Sequence, residues 1–379
     1  MTLRLNDPDF SHIPFDDIEH VGTKTGIYND MFYVSWLLGR FCNYSCSYCW
    51  PYAHSKKKDH RDTDLCLLTI DEIKRQARQN GFNSFNWSLS GGEPTFHPGY
   101  LEILEHLADD DQATMQRIHM TSNCSRNLPW FQEYVKIAQR FNRASITSSV
   151  HFEHLNTDDK IEKYLDKLIF CQDNGIRITI NMVMVPDRFD KLWEYAQYFK
   201  SRGVHTTLKP QSNENATKVV DGYTQEQLDI LYNELKTSTF EIELTDSKGN
   251  KYEMDQAERF NAFEFNNFKG WECSSGFRSI IIREPDGSIK RSYSCRDEPL
   301  GNITTGLVLN INSMEKLMPK TYLDDRVVNY QTGETAVFYI DDEVLGIEYV
   351  RGKEIIYLEE FPNRSMHYVR SQAEDWGRG

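Results

Sequence analysis

The chain has no apolar run approaching the roughly 20 residues that a helix needs to cross a bilayer, so no membrane-spanning segment is expected. Its opening residues, Met1-Thr2-Leu3-Arg4-Leu5-Asn6-Asp7, lack the charged and then apolar pattern of a secretory signal. Basic charge is also short: 43 lysines and arginines stand against 57 aspartates and glutamates, a formal net charge of −14. A field of that sign repels polyanions and disfavours a nucleic-acid substrate. A local basic patch such as Lys56-Lys57-Lys58 can act against it within a Debye length. The eight cysteines are scattered from Cys42 to Cys295 and none follows, a poor basis for a disulfide framework in a chain of 379 residues. These absences lead to the expectation of a cytoplasmic protein whose thiols are reduced or bound to metal.

What is present reads first as architecture. The length exceeds what one hydrophobic core usually serves, so a large domain with a smaller one is expected. Residues 1–31 are polar, with Pro8 and Pro14 breaking any long helix, and form an N-terminal arm. Phe32-Tyr33-Val34-Ser35-Trp36-Leu37-Leu38 is a nearly continuous apolar strand. Thr69-Ile70-Asp71-Glu72 has the form of a capping box, Ile70, Ile73 and Ala77 share one helical face, and Gly81 stops the helix. Phe85, Trp87 and Leu89 then alternate as a second strand, and four more are expected at 117–121, 144–150, 177–184 and 204–209. Helices are expected to begin near Pro98, Pro129, Asp158 and Asp187. The fold class is therefore α/β: a partial (β/α)6 TIM-like barrel over residues 32–210, left open, with a smaller α+β C-terminal domain. That domain is expected over 211–305, followed by a β-rich C-terminal extension over 306–379.

Directly after the first apolar strand comes Cys42-Asn43-Tyr44-Ser45-Cys46-Ser47-Tyr48-Cys49. Three soft thiolates in a tight loop suit an iron–sulfur cluster or zinc, and a three-thiolate set leaves one position open. A structural zinc site completed by His54 is the competing reading at this point. The CxxxCxxC spacing with Tyr48 before the last cysteine resembles the radical S-adenosylmethionine (radical SAM) superfamily. Ser90-Gly91-Gly92-Glu93-Pro94, at the end of the second strand, matches that family's GGEP motif. The resemblance implies a [4Fe-4S] cluster on Cys42, Cys46 and Cys49, with S-adenosylmethionine on the open iron. It also implies that Ser90, Gly91, Gly92 and Glu93 hold the methionine ammonium and that Tyr48 contacts the adenine. Thr121-Ser122-Asn123 is similar to the family's TNG segment, and Ser149 and Asn181 stand where polar residues reach the cofactor.

Beyond Pro210 the pattern changes. A capping box at Thr224-Gln225-Glu226-Gln227 opens a helix with Leu228, Leu231 and Leu235 on one face, and a hairpin turning at Ser247-Lys248-Gly249-Asn250 follows. Cys273, a hairpin turning at Pro285-Asp286-Gly287, Cys295 and Leu300-Gly301-Asn302-Ile303 resemble the twitch and SPASM extensions of radical SAM enzymes, which carry an auxiliary cluster. With no cysteine after Cys295, this region cannot supply four thiolates alone, so one four-iron cluster per chain is expected: either the auxiliary cluster is absent, or it has an unusual ligand beside Cys273 and Cys295, or the pair acts as reactive thiols. By this resemblance the chain generates a 5′-deoxyadenosyl radical that takes hydrogen from a peptide or small-molecule substrate. An external one-electron donor such as flavodoxin or ferredoxin is then needed. Two alternatives stay open: an epimerase using one of those thiols as hydrogen donor, and a non-enzymatic zinc-stabilised binding module.

Overall fold

A computed structural model describes residues 13–14, 17–23, 31–49, 54–58, 60–212, 219–236, 242–254, 271–273, 279–283, 286–290, 300–303 and 349–351. The chain begins with β1 (Ile18–Thr23) and β2 (Met31–Leu37), and then alternates: α1 (Thr63–Gln79), β3 (Ser84–Ser90), α2 (Tyr100–Ala108), β4 (Met115–Ser122), α3 (Leu128–Ala138), β5 (Arg143–Val150), α4 (Asp158–Asp173), β6 (Arg177–Met184), α5 (Phe189–Ser201) and β7 (His205–Pro210). After β7 come α6 (Gln225–Lys236), β8 (Ile242–Asp246), β9 (Lys251–Met254), β10 (Trp271–Cys273), β11 (Ser279–Arg283), β12 (Ser288–Lys290), β13 (Gly301–Asn302) and β14 (Tyr349–Arg351). Among the described residues no helix is long and apolar enough to cross a membrane.

Strands β2 to β7 lie side by side in chain order, all parallel, as the alternation of strand and helix predicts. The sheet does not close on itself. Its β2 edge instead receives β11 in parallel, from Ser279 opposite Tyr33 to Arg283 opposite Leu37, and β12 and β13 continue outward.

Parallel strands covered on both faces usually read as unbroken apolar runs. After β2, these do not. Phe85, Trp87, Leu89, Ile118, Met120, Ile146, Ile178 and Ile180 join the helices in one core, with Phe32, Val34 and Trp36 from β2. Successive strand side chains point to opposite faces. The inner face therefore carries Ser88, Ser90, His119, Thr121, Thr147, Ser149, Thr179, Asn181 and Thr207. The outer face holds the fold together, each Phe- or Leu-sized side chain it buries contributing roughly 1.5–3 kcal/mol. The inner face is polar, and part of it is hydrogen-bonded to itself, as between His119 and Ser145.

Three local expectations change. Helix α1 starts six residues before the Thr69 box because Asp62 already caps it, accepting from the Leu65 amide. Thr69 is thus inside the helix, its hydroxyl donating to the Leu65 carbonyl, and Cys66 is helical too. Within the polar N-terminal arm, β1 forms a strand because β8 and β14 offer it open edges, giving a second sheet in the order β10-β14-β1-β8-β9. Helix α6 has the reciprocal capping box, Gln227 N–H to Thr224 Oγ1 at 3.2 Å and Thr224 N–H to Gln227 Oε1 at 3.1 Å. Its Leu231 joins the barrel core, so this helix packs with the barrel although it falls within 211–305. Of the strands expected beyond residue 306, only 349–351 lies among the described residues.

Candidate active site

The cysteine loop leaves the carboxyl end of β2, and the end of β3 is laced to its lead-in. Leu38 N–H donates to Ser90 O at 2.9 Å, Gly92 N–H to Gly39 O at 2.9 Å and Glu93 N–H to Phe41 O at 2.6 Å. Gly91 has φ +130°, a region that side chains rarely adopt. A Cβ there would strike the Gly39 carbonyl, and one on Gly92 would strike the carbonyls of Arg40 and Phe41. The close approach that the glycine pair predicts is thus to the backbone entering the cysteine loop. On the other side of the loop, Lys56 Nζ donates to the carbonyls of Cys42 and Tyr44.

Glu93 is only 1% exposed. Its Oε1 accepts from Thr95 N–H at 3.2 Å, Thr95 Oγ1 at 2.6 Å and Ser122 Oγ at 2.7 Å, and its Oε2 from Asn123 N–H at 2.6 Å. Burial pushes this carboxyl up from its ordinary range, against the pull of those four donors. The side chain thereby ties the end of β3 to the end of β4. Asn123 extends the tie: its Nδ2 donates to Asn43 Oδ1 at 2.9 Å and lies 3.9 Å from Cys42 Sγ.

None of the six cysteines whose side chains are described forms a disulfide. Cys42 and Cys49 are half-buried, and Cys46 is 8% exposed. Burial, then the neighbouring Cys49, Glu153 and Cys42, push the Cys46 thiol up to about 12, and burial raises Cys42 as well. Three thiolates crowded here repel one another unless cations lie between them, which is what a cluster of irons supplies. A single zinc ion asks for more, namely donors about 2.0–2.3 Å from one point. Among the described residues, the set of metal-capable side chains whose ligand atoms converge within 4.8 Å is Cys46, Glu153 and His154. Neither the full cysteine trio nor His54 forms such a set.

Of the remaining candidates, Ser149 is the penultimate residue of β5 and Asn181 lies within β6, three residues before its end. Ser149 pairs in register with Asn181, and Asn181 with Thr207, whose hydroxyl donates to Asn181 Oδ1. Tyr48 shares a hydrogen bond of 2.9 Å with His151 Nδ1, and their rings stack at 5.9 Å. His151, Glu153 and His154 were not singled out from the sequence. The available signal was a His-Phe-Glu-His run at the carboxyl end of β5, where residues of a parallel sheet meet the site. Cys66, Cys124 and Cys171 are fully buried. Cys273 ends β10 with its side chain outside the described residues, as is all of Cys295, so this pair of candidate thiols or auxiliary-site ligands lies outside them.

Residues 36–199 match the family model described as the Radical SAM superfamily. Among curated proteins, the chain is 24% identical over 187 residues to a GTP 3′,8-cyclase of Pasteurella multocida, covering 46% of this chain and 52% of that one. It is 22% identical over 160 residues to the GTP 3′,8-cyclase of Haemophilus ducreyi, covering 40% and 44%. It is 26% identical over 136 residues to a 7-carboxy-7-deazaguanine synthase of Clostridium acetobutylicum, covering 34% and 57%. The chain thus spans about half the length of these relatives. Residues 36–199 thus carry a Radical SAM domain, that of a superfamily whose enzymes use a [4Fe-4S] cluster and S-adenosylmethionine.

Proposed function

We propose that this chain cleaves S-adenosylmethionine reductively at a [4Fe-4S] cluster held by Cys42, Cys46 and Cys49, and takes hydrogen from a hydrophilic small molecule or a peptide. The observation that carries the reading is the three-thiol loop at the carboxyl end of β2, laced by backbone hydrogen bonds to Gly92 and Glu93. Bound there, cluster and cofactor would supply one-electron cleavage of a carbon–sulfur bond, leaving methionine and a 5′-deoxyadenosyl radical.

The chain's residues supply the placement. Three cysteines give one thiolate each and leave one iron position open. Ser90, Gly91, Gly92 and Glu93 form the rim for the methionine group, with Glu93 fixing that rim from inside the wall. Asn123, Ser149 and Asn181 offer amide and hydroxyl groups along consecutive strand ends, and Tyr48 flanks the adenine. The polar inner face at Thr147, Thr179 and Thr207 favours a substrate rich in hydrogen-bonding groups over a greasy one. GTP, named for two of the relatives, is the first compound to test. An external carrier such as flavodoxin or ferredoxin would bring the electron.

The test is anaerobic reconstitution followed by a strong reductant and S-adenosylmethionine. Wild type should hold about four irons per cluster and release 5′-deoxyadenosine, and Cys46→Ala should release none. Equal release from both proteins, or one zinc per chain with no iron, overturns the reading.

A further inference from the structure

Between residues 42 and 49 there is neither helix nor strand, and the backbone closes on itself at the turn where Cys49 N–H donates to Cys46 O at 3.1 Å. The shape of this loop is therefore set by what surrounds it. Much of that surrounding comes from the four residues after β5. Both donors of Ser47, its N–H at 2.8 Å and its hydroxyl, go to the Glu153 carboxylate. Ser45 N–H donates to His154 Nε2 at 3.3 Å, and the His154 ring lies flat on Tyr44, with centroids 4.0 Å apart and planes 4° from parallel. His151 Nδ1 shares a hydrogen bond of 2.9 Å with the Tyr48 hydroxyl. Residues on both sides of Cys46 are thus gripped from one turn.

That turn has a firm base. His154 and Leu155 both donate their N–H to the His151 carbonyl at 2.9 Å, and Phe152 stacks on Tyr195 of α5 at 4.7 Å. We infer that residues 151–154 are a clasp that holds the cysteine loop in its ligating shape before any metal arrives, with Glu153 as the principal positioning residue. The inference rests on the proposed reading that this loop holds a cluster. Glu153 places a negative charge beside Cys46, which opposes thiolate formation there. Two donors from one serine fix both of its oxygens, so this residue's role is geometric.

Hydrogen–deuterium exchange on the iron-free protein tests the clasp without the cluster. The amides of Ser45 and Ser47 should be protected in wild type and exchange about tenfold faster in Glu153→Ala, with the strands of the barrel unchanged. His154→Ala should free Ser45 more than Ser47. Glu153→Gln, which keeps an acceptor for the Ser47 N–H, should restore most of the protection. After reconstitution, Glu153→Ala should also lose iron to a chelator about tenfold faster than wild type, with Glu153→Gln between them. Equal exchange in Glu153→Ala and wild type overturns the clasp whatever the iron content, and so does equal iron release from the two reconstituted proteins. Protected amides in a wild type that binds no iron would overturn the cluster reading instead and leave the grip on the loop supported.

Discussion

Glu93 shows how one residue can serve a site from within its wall. The GGEP motif marked it from sequence as a group that meets the cofactor, and within the protein its Oε1 accepts from Thr95 and Ser122 while its Oε2 accepts once, from Asn123. A motif gives identity and position along the strand; the direction of a side chain depends on which donors the neighbouring strand presents. Glu93→Ala would strand those donors in a buried place, at about 1–3 kcal/mol for each left unsatisfied. The expected result is a loss of about 3 kcal/mol in chemical denaturation of the iron-free protein, accompanied by weaker binding of S-adenosylmethionine. Unchanged stability with weakened binding would mean that the carboxylate faces the cofactor after all. Cys124 makes a similar point. It sits at the end of β4, where a thiol could face the site, but with φ 51° it turns inward and is fully buried.

At the scale of elements, the outer face of the barrel was legible because each helix needs an apolar stripe and each strand an apolar side, and both repeat at known periods. Strands β5 and β6 came out within a residue of their observed bounds for that reason. What could not be read were features decided by partners distant in sequence, such as β1 and the turn 151–154. A buried ion cluster linking α1 to the end of α2 belongs with these. Lys74 Nζ lies 3.2 Å from Asp110, their side chains are 6% and 5% exposed, and Arg78 pairs with the same carboxylate. Burial raises the Asp110 carboxyl, but Lys74 and Arg78 outweigh this and hold it below its ordinary value. A carboxyl depressed in the folded state contributes stability above its unfolded value, and that contribution is lost as pH falls through the folded one. Asp110→Asn should therefore cost about 3 kcal/mol near neutral pH by leaving Lys74 poorly paired. The gap from wild type should narrow below about pH 4. Denaturation curves of both iron-free proteins across pH check it, and a gap that stays constant into acid would show that the ion pair is not its source.

The whole molecule poses an electrostatic problem that none of its elements shows alone. With a net charge of −14, the chain repels acidic proteins at long range. The proposed one-electron carrier, where it is acidic, would nevertheless have to come close to the cysteine loop proposed to hold the cluster. Lys57 and Lys58 are exposed immediately after Lys56, whose ammonium is already spent on the carbonyls of Cys42 and Tyr44. That puts positive charge at the edge of the loop, effective within about 8–10 Å at ordinary salt. Charge at the rim of an interface governs encounter more than tightness. Reversing it with Lys57→Glu/Lys58→Glu should raise the KM for an acidic carrier about fivefold at low ionic strength and leave kcat nearly unchanged. Raising the salt should bring variant and wild type together, by slowing the one and relieving the other. Turnover driven by a small chemical reductant should be the same in both, because a small reductant needs no docking surface. A salt-independent gap, or an equal loss with the small reductant, would place these lysines in the loop's own structure and leave the carrier to dock elsewhere.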